Sequence, residues 1–158
     1  MTSIVNLKKL LKLKVLQLVD PSENLKISYL EKSFDSLKSA KILKENSLYS
    51  DSIPLSYYSM YNSLLALLFK IGIKSENHNV SIFLLKKIFR LDNSDIIHSK
   101  KSRTQAQYYT SSDSSEQSTQ YAVESAENFN YKIRDFIDRL TSDQIEEYRN
   151  KFKELLEI

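Results

Sequence analysis

The chain has 158 residues, which suits one domain able to bury about two-thirds of its unfolded surface without staples. It has no cysteine and only two histidines, which excludes disulfides and thiolate metal sites and argues against a conventional zinc site. A net charge of +3 is too small for a continuous basic face on duplex DNA, but it leaves room for a small RNA or nucleotide site.

The same composition points to helices. One glycine and two prolines provide few of the tight turns that a sheet of several hairpins needs. Residues 4–19 are expected to form a first helix with Val5, Leu7, Leu10, Leu11, Val15 and Leu18 apolar. Lys8, Lys9, Lys12 and Lys14 interrupt any signal-peptide core. The helix could lie on a membrane surface, or it could be a bundle helix with solvated lysines, and the second reading is preferred. Asp20-Pro21-Ser22-Glu23 is a stop followed by a start. The second helix, about 22–46, has Ile27, Leu30, Phe34, Leu37, Ala40 and Leu43 as its buried stripe.

Residues 53–71 are the most apolar stretch. Leu55, Tyr58, Tyr61, Leu65 and Leu68 recur at spacings of three and four. Leu64, Ala66, Leu67 and Phe69 widen that stripe until the helix is apolar nearly all round, as in the middle of a bundle. Pro54 suits a first helical position, with Ser52 or Asp51 as cap. Gly72 suits the left-handed residue past the end. Residues 73–77 read as a short polar link. Ser75 or Asn77 can cap a fourth helix, about 77–90, that buries Val80, Phe83, Leu84, Ile88 and Phe89.

A shorter helix is expected over about 95–109. Thr110 to Thr119 is rich in serine and has no apolar residue, so it reads as a flexible loop. A sixth helix, about 119–140, sets Ala122, Ala126, Phe129, Ile133, Phe136, Ile137 and Leu140 on one side. Thr141 with Gln144 has capping-box spacing, and the last helix, to about 156, buries Ile145, Tyr148, Phe152 and Leu155. The elements add up to an all-α, up-and-down helical bundle of five to seven helices. No apolar run is long enough to cross a bilayer, and nothing argues for secretion, so no membrane association and a cytoplasmic location are expected.

Titratable residues stand out at three places. His78 follows Glu76 and Asn77, where it could be a solvated or capping residue or an acid–base group near neutral pH. His98 lies in a polar run before Lys100 and Lys101. Arg103 lies among Lys100, Lys101, Gln105, Gln107, Tyr108 and Tyr109. An arginine beside amides and tyrosines can hold a phosphate while an aromatic ring stacks on a base; it can equally bond a carboxylate or carbonyls at a bundle surface. Tyr57, Tyr58 and Tyr61 could line a pocket or belong to the core. There is no Gly-rich phosphate loop, no Gly-x-Ser-x-Gly and no pair of histidines at metal spacing. No cofactor and no metal is implied.

Ser56-Tyr57-Tyr58-Ser59-Met60-Tyr61, the apolar Ala66-Leu67-Leu68, and Gly72-Ile73-Lys74 followed by Asn77-His78 resemble, in this order, a HEPN domain of the small stand-alone prokaryotic type. Arg103 followed by Ala106-Gln107-Tyr108 is similar to that family's arginine with Ala-Asp-Tyr, and the helix from Ala122 to Ile137 resembles its closing one. The resemblance spans about residues 25–140. It implies a helical bundle, commonly a two-fold dimer, and often a toxin paired with a small nucleotidyltransferase. Many HEPN proteins are metal-independent ribonucleases in which an arginine and a histidine with four to six residues between them meet across the dimer. Arg103 matches that arginine. The histidine has no counterpart, because Tyr108, Tyr109 and Thr110 stand at that spacing, and Gln107 replaces the aspartate.

The leading expectation is therefore a dimeric module that binds RNA, a nucleotide or a partner protein through Arg103, Gln107, Tyr108, His78 and Tyr58. One alternative is a metal-independent ribonuclease with Arg103 stabilising phosphate charge and His78, Tyr108 or Tyr109 moving protons. Another is a purely structural partner of a nucleotidyltransferase.

Overall fold

The computed structural model describes residues 4–108 and 114–158. Seven helices and two three-residue strands appear among them: α1 (Ile4–Lys12), β1 (Leu16–Leu18), α2 (Glu23–Glu45), α3 (Tyr49–Ile71), β2 (Ile73–Ser75), α4 (His78–Lys87), α5 (Ser94–Tyr108), α6 (Glu116–Arg139) and α7 (Ser142–Leu156). The fold is the expected all-α bundle. No helix among the described residues is long and apolar enough to cross a membrane.

Helix α3 is the central element. Met60, Leu64, Leu67, Leu68 and Ile71 have no exposed surface, and α2, α5, α6, α4 and α7 all pack on it. A helix apolar on every side can be satisfied only by neighbours on every side. Its start differs from expectation. The helix begins at Tyr49, so Pro54 lies inside it. The proline's missing N–H deprives the carbonyl of Ser50 of a helical partner, but Ser50 is exposed and meets water. Ser52 does not cap the helix; its hydroxyl donates to the carbonyl of Ala40 at 2.6 Å. Gly72 ends α3 in the left-handed region (φ 87, ψ 40), and its N–H returns to Leu68 and Phe69, as its place after the apolar run predicts.

The first helix is shorter than the expected 4–19. It stops at Lys12, Lys14 takes a positive φ of 58, and Leu16–Leu18 then pairs antiparallel with Ile73–Ser75, with Gln17 opposite Lys74. The polar link after Gly72 is thus a strand. Val15 and Leu18, read as helical, belong to this ribbon. Leu16 and Ile73 are fully buried in it. The N–H of Val19 donates to the carbonyl of Gly72 and that of Glu76 to the carbonyl of Val15, which extends the pairing at both ends.

Helix α2 also lies differently. Ser33 and Ala40 face α3, whereas Ile27 and Phe34, placed in the buried stripe by periodicity, are 44% and 58% exposed. The reason is a row of small polar residues on α3. Ser52, Ser56, Ser59 and Ser63 are all buried, and they let the two helices approach closely. The Ser33 hydroxyl donates to the carbonyl of Ser59 and the Ser59 hydroxyl to the carbonyl of Ser33. Asn130 of α6 closes the layer by accepting from the Ser63 hydroxyl and donating to the Ser59 hydroxyl. Each of these polar groups is buried with partners, which is what makes their burial tolerable.

The other caps follow local chemistry. Ser22 accepts from the N–H of Leu25, and Asn77 from that of Val80. Thr141 and Gln144 form the expected capping box. Ser115 and Ser118 form another, so helix α6 begins at Glu116, inside the stretch read as a serine-rich loop. The earlier part of that loop, Thr110 to Asp113, lies outside the described residues, as does Tyr109. Helix α7 packs on this same bundle. Phe152 is fully buried, and Arg149 Nη1 donates to the carbonyls of Val19 and Ile71, both at 2.8 Å. That guanidinium ties α7 to the end of α3 and to the chain leaving β1.

Candidate functional site

The cluster starts from two neighbouring tyrosines on α3. Tyr57 has no exposed surface, and Tyr58, one position on, is half-buried. His78 is the first residue of α4, set there by the Asn77 cap. Its ring stacks on Tyr61 with centroids 3.8 Å apart and planes 13° off parallel. Its Nδ1 lies 2.6 Å from the Tyr57 hydroxyl. Arg103 arrives from α5. Its Nη1 donates to the Tyr58 hydroxyl at 3.1 Å, and its guanidinium carbon lies 5.1 Å from the Tyr57 ring centroid and 5.7 Å from that of Tyr58. Both distances fall within cation–π range. Arg103, His78 and Tyr58, read separately in the sequence, thus meet around Tyr57.

The proton positions follow from satisfaction. Burial pushes the Tyr57 phenol above its ordinary pKa, so it carries its proton. Its hydroxyl has one hydrogen-bond partner among the described residues, Nδ1 of His78. A buried O–H needs an acceptor, so Tyr57 donates and Nδ1 accepts. The neutral imidazole then carries its proton on Nε2. The pKa of His78 is lowered, first by burial and then by the positive charges of Arg103 and Lys100, so this neutral form is the one held near pH 7. Burial also raises the pKa of Tyr61, whose hydroxyl lies 3.3 Å from that of Ser81.

Arg103 is incompletely satisfied. Its Nε is buried and has no hydrogen-bond partner among the described residues. Among the described residues no carboxylate forms an ion pair with it. Lys100 lies one turn earlier on the same face of α5. The site is cationic and aromatic, and no described group of three or more histidine, aspartate or glutamate side chains could hold a metal.

A family model of the HEPN domain matches residues 28–158. The chain belongs to the HEPN domain family. No curated protein sequence matches it. The HEPN match includes α7, which lies beyond the span of about 25–140 expected from the motifs. Family membership accounts for the helical architecture and marks the chain as a helical module related to nucleotides or RNA.

Other sequence candidates lie apart from this cluster. Gln107 and Tyr108 are exposed on the last turn of α5, Tyr108 by 72%, and neither bonds to His78, Tyr57 or Tyr58. Tyr109 is outside the described residues. His98 is exposed, and its ring stands nearly perpendicular to that of Tyr121 of α6 with centroids 5.6 Å apart. Tyr57, read only as a pocket or core tyrosine, is the group that joins the site. Its adjacency to Tyr58 is a signal that helical spacing alone would have assigned to core.

The lowered His78 pKa predicts a sign for stability against pH. Where the folded pKa lies below the unfolded one, near 6.5, the unfolded chain binds the extra proton first. The contribution is complete above the unfolded pKa and is lost as pH falls through the folded one. The wild-type melting temperature should therefore drop between about pH 7.5 and about pH 5 by more than that of His78→Gln. Equal drops in thermal melts would show that His78 titrates alike in both states. The lowered carboxyl pKa values of Glu23, Asp92 and Glu157 act below this window.

Proposed function

We propose that this HEPN protein is a single-domain, cytoplasmic binding module that holds a phosphate of RNA or of a nucleotide at Arg103 without cleaving it. The observation that carries the reading is the Arg103 guanidinium, half-buried, with an Nε that has no partner and no carboxylate paired to it among the described residues. A desolvated cation is costly unless an anion and hydrogen-bond acceptors complete it. A phosphate supplies both, in the geometry that a guanidinium fork favours. Lys100 adds positive charge beside it, and His78 offers Nε2–H as a neutral donor. An imidazole with its proton on Nε2 cannot take a proton there, which favours holding over cutting.

The test is metal-free incubation of purified protein with mixed cellular RNA. RNA retained on the protein and recovered intact is the expected result, and cleavage by the wild type overturns it. A metal-independent ribonuclease is the second reading. It is favoured by the meeting of His78 and Arg103 at one tyrosine, and it requires cleavage that disappears in Arg103→Ala.

A second copy is the proposed protein partner. Ile27, Phe34 and Ile42 are exposed on α2, and Glu31, Asp35 and Arg134 line the groove beside Ile27 and Phe34. One patch with both signs of charge is self-complementary about a two-fold axis. Phe34→Glu should convert a dimer to a folded monomer in sedimentation analysis. A wild type that is already monomeric at micromolar concentration would sink this interface.

A further inference from the structure

A groove runs between α4 and α5. It joins two hollows, of about 380 Å³ and about 660 Å³, that share Phe83 and Asn93. The Asn93 side-chain amide donates to the carbonyl of Ile82 at 3.1 Å, so the junction of the two hollows is fixed before anything binds. Arg103, Tyr57 and Tyr58 line neither hollow.

The charges of the groove are divided. Lys86, Lys87 and Arg90 line one hollow, and Lys100 and Lys101 the other. None of the five forms an ion pair among the described residues. Asp92 is the one described carboxylate that lines the groove. Its oxygens accept from the Ser94 hydroxyl at 2.6 Å and from the Ser94 N–H at 3.2 Å, at the start of α5. Phe83, where the hollows meet, is half-buried, and Ile97, about one turn before Lys101, is 51% exposed. The surface is thus cationic in both hollows and apolar between the two sets of cations.

The backbone at Arg90 is a second, independent observation. The chain leaves α4 there with a left-handed φ of 56, and the N–H groups of Arg90 and Leu91 return to the carbonyls of Lys86 and Leu85. Such a residue after a helix is most often glycine, which has no Cβ to crowd the backbone. An arginine in its place keeps a cation at the groove against the local preference of the fold. The distribution of groups also selects the occupant. A nucleic-acid strand carries a phosphate at every residue, and its bases stack on exposed aromatic faces. Here Phe83 and Ile97 separate the cations, and no tyrosine, tryptophan or histidine lines the groove among the described residues. A polypeptide with carboxylates at its ends and aliphatic side chains between them has the complementary pattern.

We propose that the α4–α5 groove docks an acidic, amphipathic helical segment of a partner protein. A third helix laid between two others is a recurring way to fill such a groove. Its aliphatic side chains cover Phe83 and Ile97 and supply affinity. Its carboxylates pair with the cations of the two hollows, which fixes its orientation and speeds its encounter. This docking site is independent of the phosphate reading of Arg103.

The test is fluorescence anisotropy with two labelled synthetic peptides of about 12 residues, three helical turns. One has glutamates at both ends and leucines between them; the other has the same residues with the glutamates in the middle. The first should bind about tenfold more tightly than the second, and it should weaken as salt rises. Ile97→Glu, at an exposed position, should weaken the first peptide about tenfold. Arg90→Gly should weaken it about threefold, while the variant melts no lower than wild type because glycine suits the left-handed φ. Equal binding of the two peptides, or variants that bind the first like wild type, overturn the docking site. So does single-stranded RNA that loses affinity in both variants while the first peptide fails to bind, since the groove would then be a nucleic-acid track.

Discussion

Gly72→Ala is expected to destabilise the protein by about 4–8 kcal/mol, a large share of the ~5–15 kcal/mol that holds a typical domain together. Two effects combine. Residue 72 has a φ of 87, where a Cβ costs about 1–2 kcal/mol by crowding the backbone. The added methyl would also overlap Arg149 Nη1 and the Val19 carbonyl, and come within 2.9 Å of Pro21 N. Val19 and Pro21 are backbone at the end of the β1–β2 pairing and the entry of α2, so they must shift as well as Arg149. It then loses its bonds to the carbonyls of Val19 and Ile71, each worth about 1.5–3 kcal/mol when a charged group donates. Urea denaturation followed by circular dichroism measures the loss. A decrease below about 1 kcal/mol would mean that the left-handed cap and the Arg149 tie are not what joins α3, β1 and α7. Arg149→Ala should reproduce the hydrogen-bond part alone, because it leaves the Gly72 backbone untouched.

Arg103→Ala is expected to weaken binding of single-stranded RNA by about 10- to 100-fold, the loss of one charge-assisted contact worth roughly 1.5–3 kcal/mol. The fold should survive with little change, because among the described residues Arg103 makes one hydrogen bond and two ring contacts and no ion pair. The affinity of the variant should also depend less on salt, since fewer counterions are released when one cationic contact is gone. Arg103→Lys should restore little, because an ammonium on a flexible stem lacks the planar fork that lies over Tyr57 and Tyr58. Fluorescence anisotropy with labelled RNA reads all three. Unchanged affinity in a folded Arg103→Ala protein would remove the site from RNA binding and return the cluster to a structural role.

How much of this was legible depends on how far apart the interacting residues lie. The turn at Ser22, the end of α3 at Gly72, the Asn77 cap and the Thr141–Gln144 box follow from residues within a few positions of each other. Local chemistry decides them. The start of α3 differs from the expected one because a proline suits a first turn so well; here the helix absorbs Pro54 because tertiary packing outweighs one lost hydrogen bond. The serine-rich stretch misled for the opposite reason. Serines signal loops by composition, yet Ser115 and Ser118 begin a helix by capping it. Of the candidate site, the separate members Arg103, His78 and Tyr58 were visible, and their convergence on Tyr57 was not.

The centrality of α3, the helical character of the chain and the order of the HEPN motifs along it are legible without coordinates, because helical periodicity, caps and contiguous motifs are written within single segments. Long-range packing settles which face of α2 is buried, that Leu16–Leu18 leaves the helix to pair with Ile73–Ser75, and that Tyr57 links His78 to Arg103. Each of those outcomes rests on a partner far away in the chain. A row of buried serines on α3 draws in Ser33 and Ala40 and leaves Ile27 and Phe34 outside. A three-residue strand exists only because its mate supplies the other half of the hydrogen bonds.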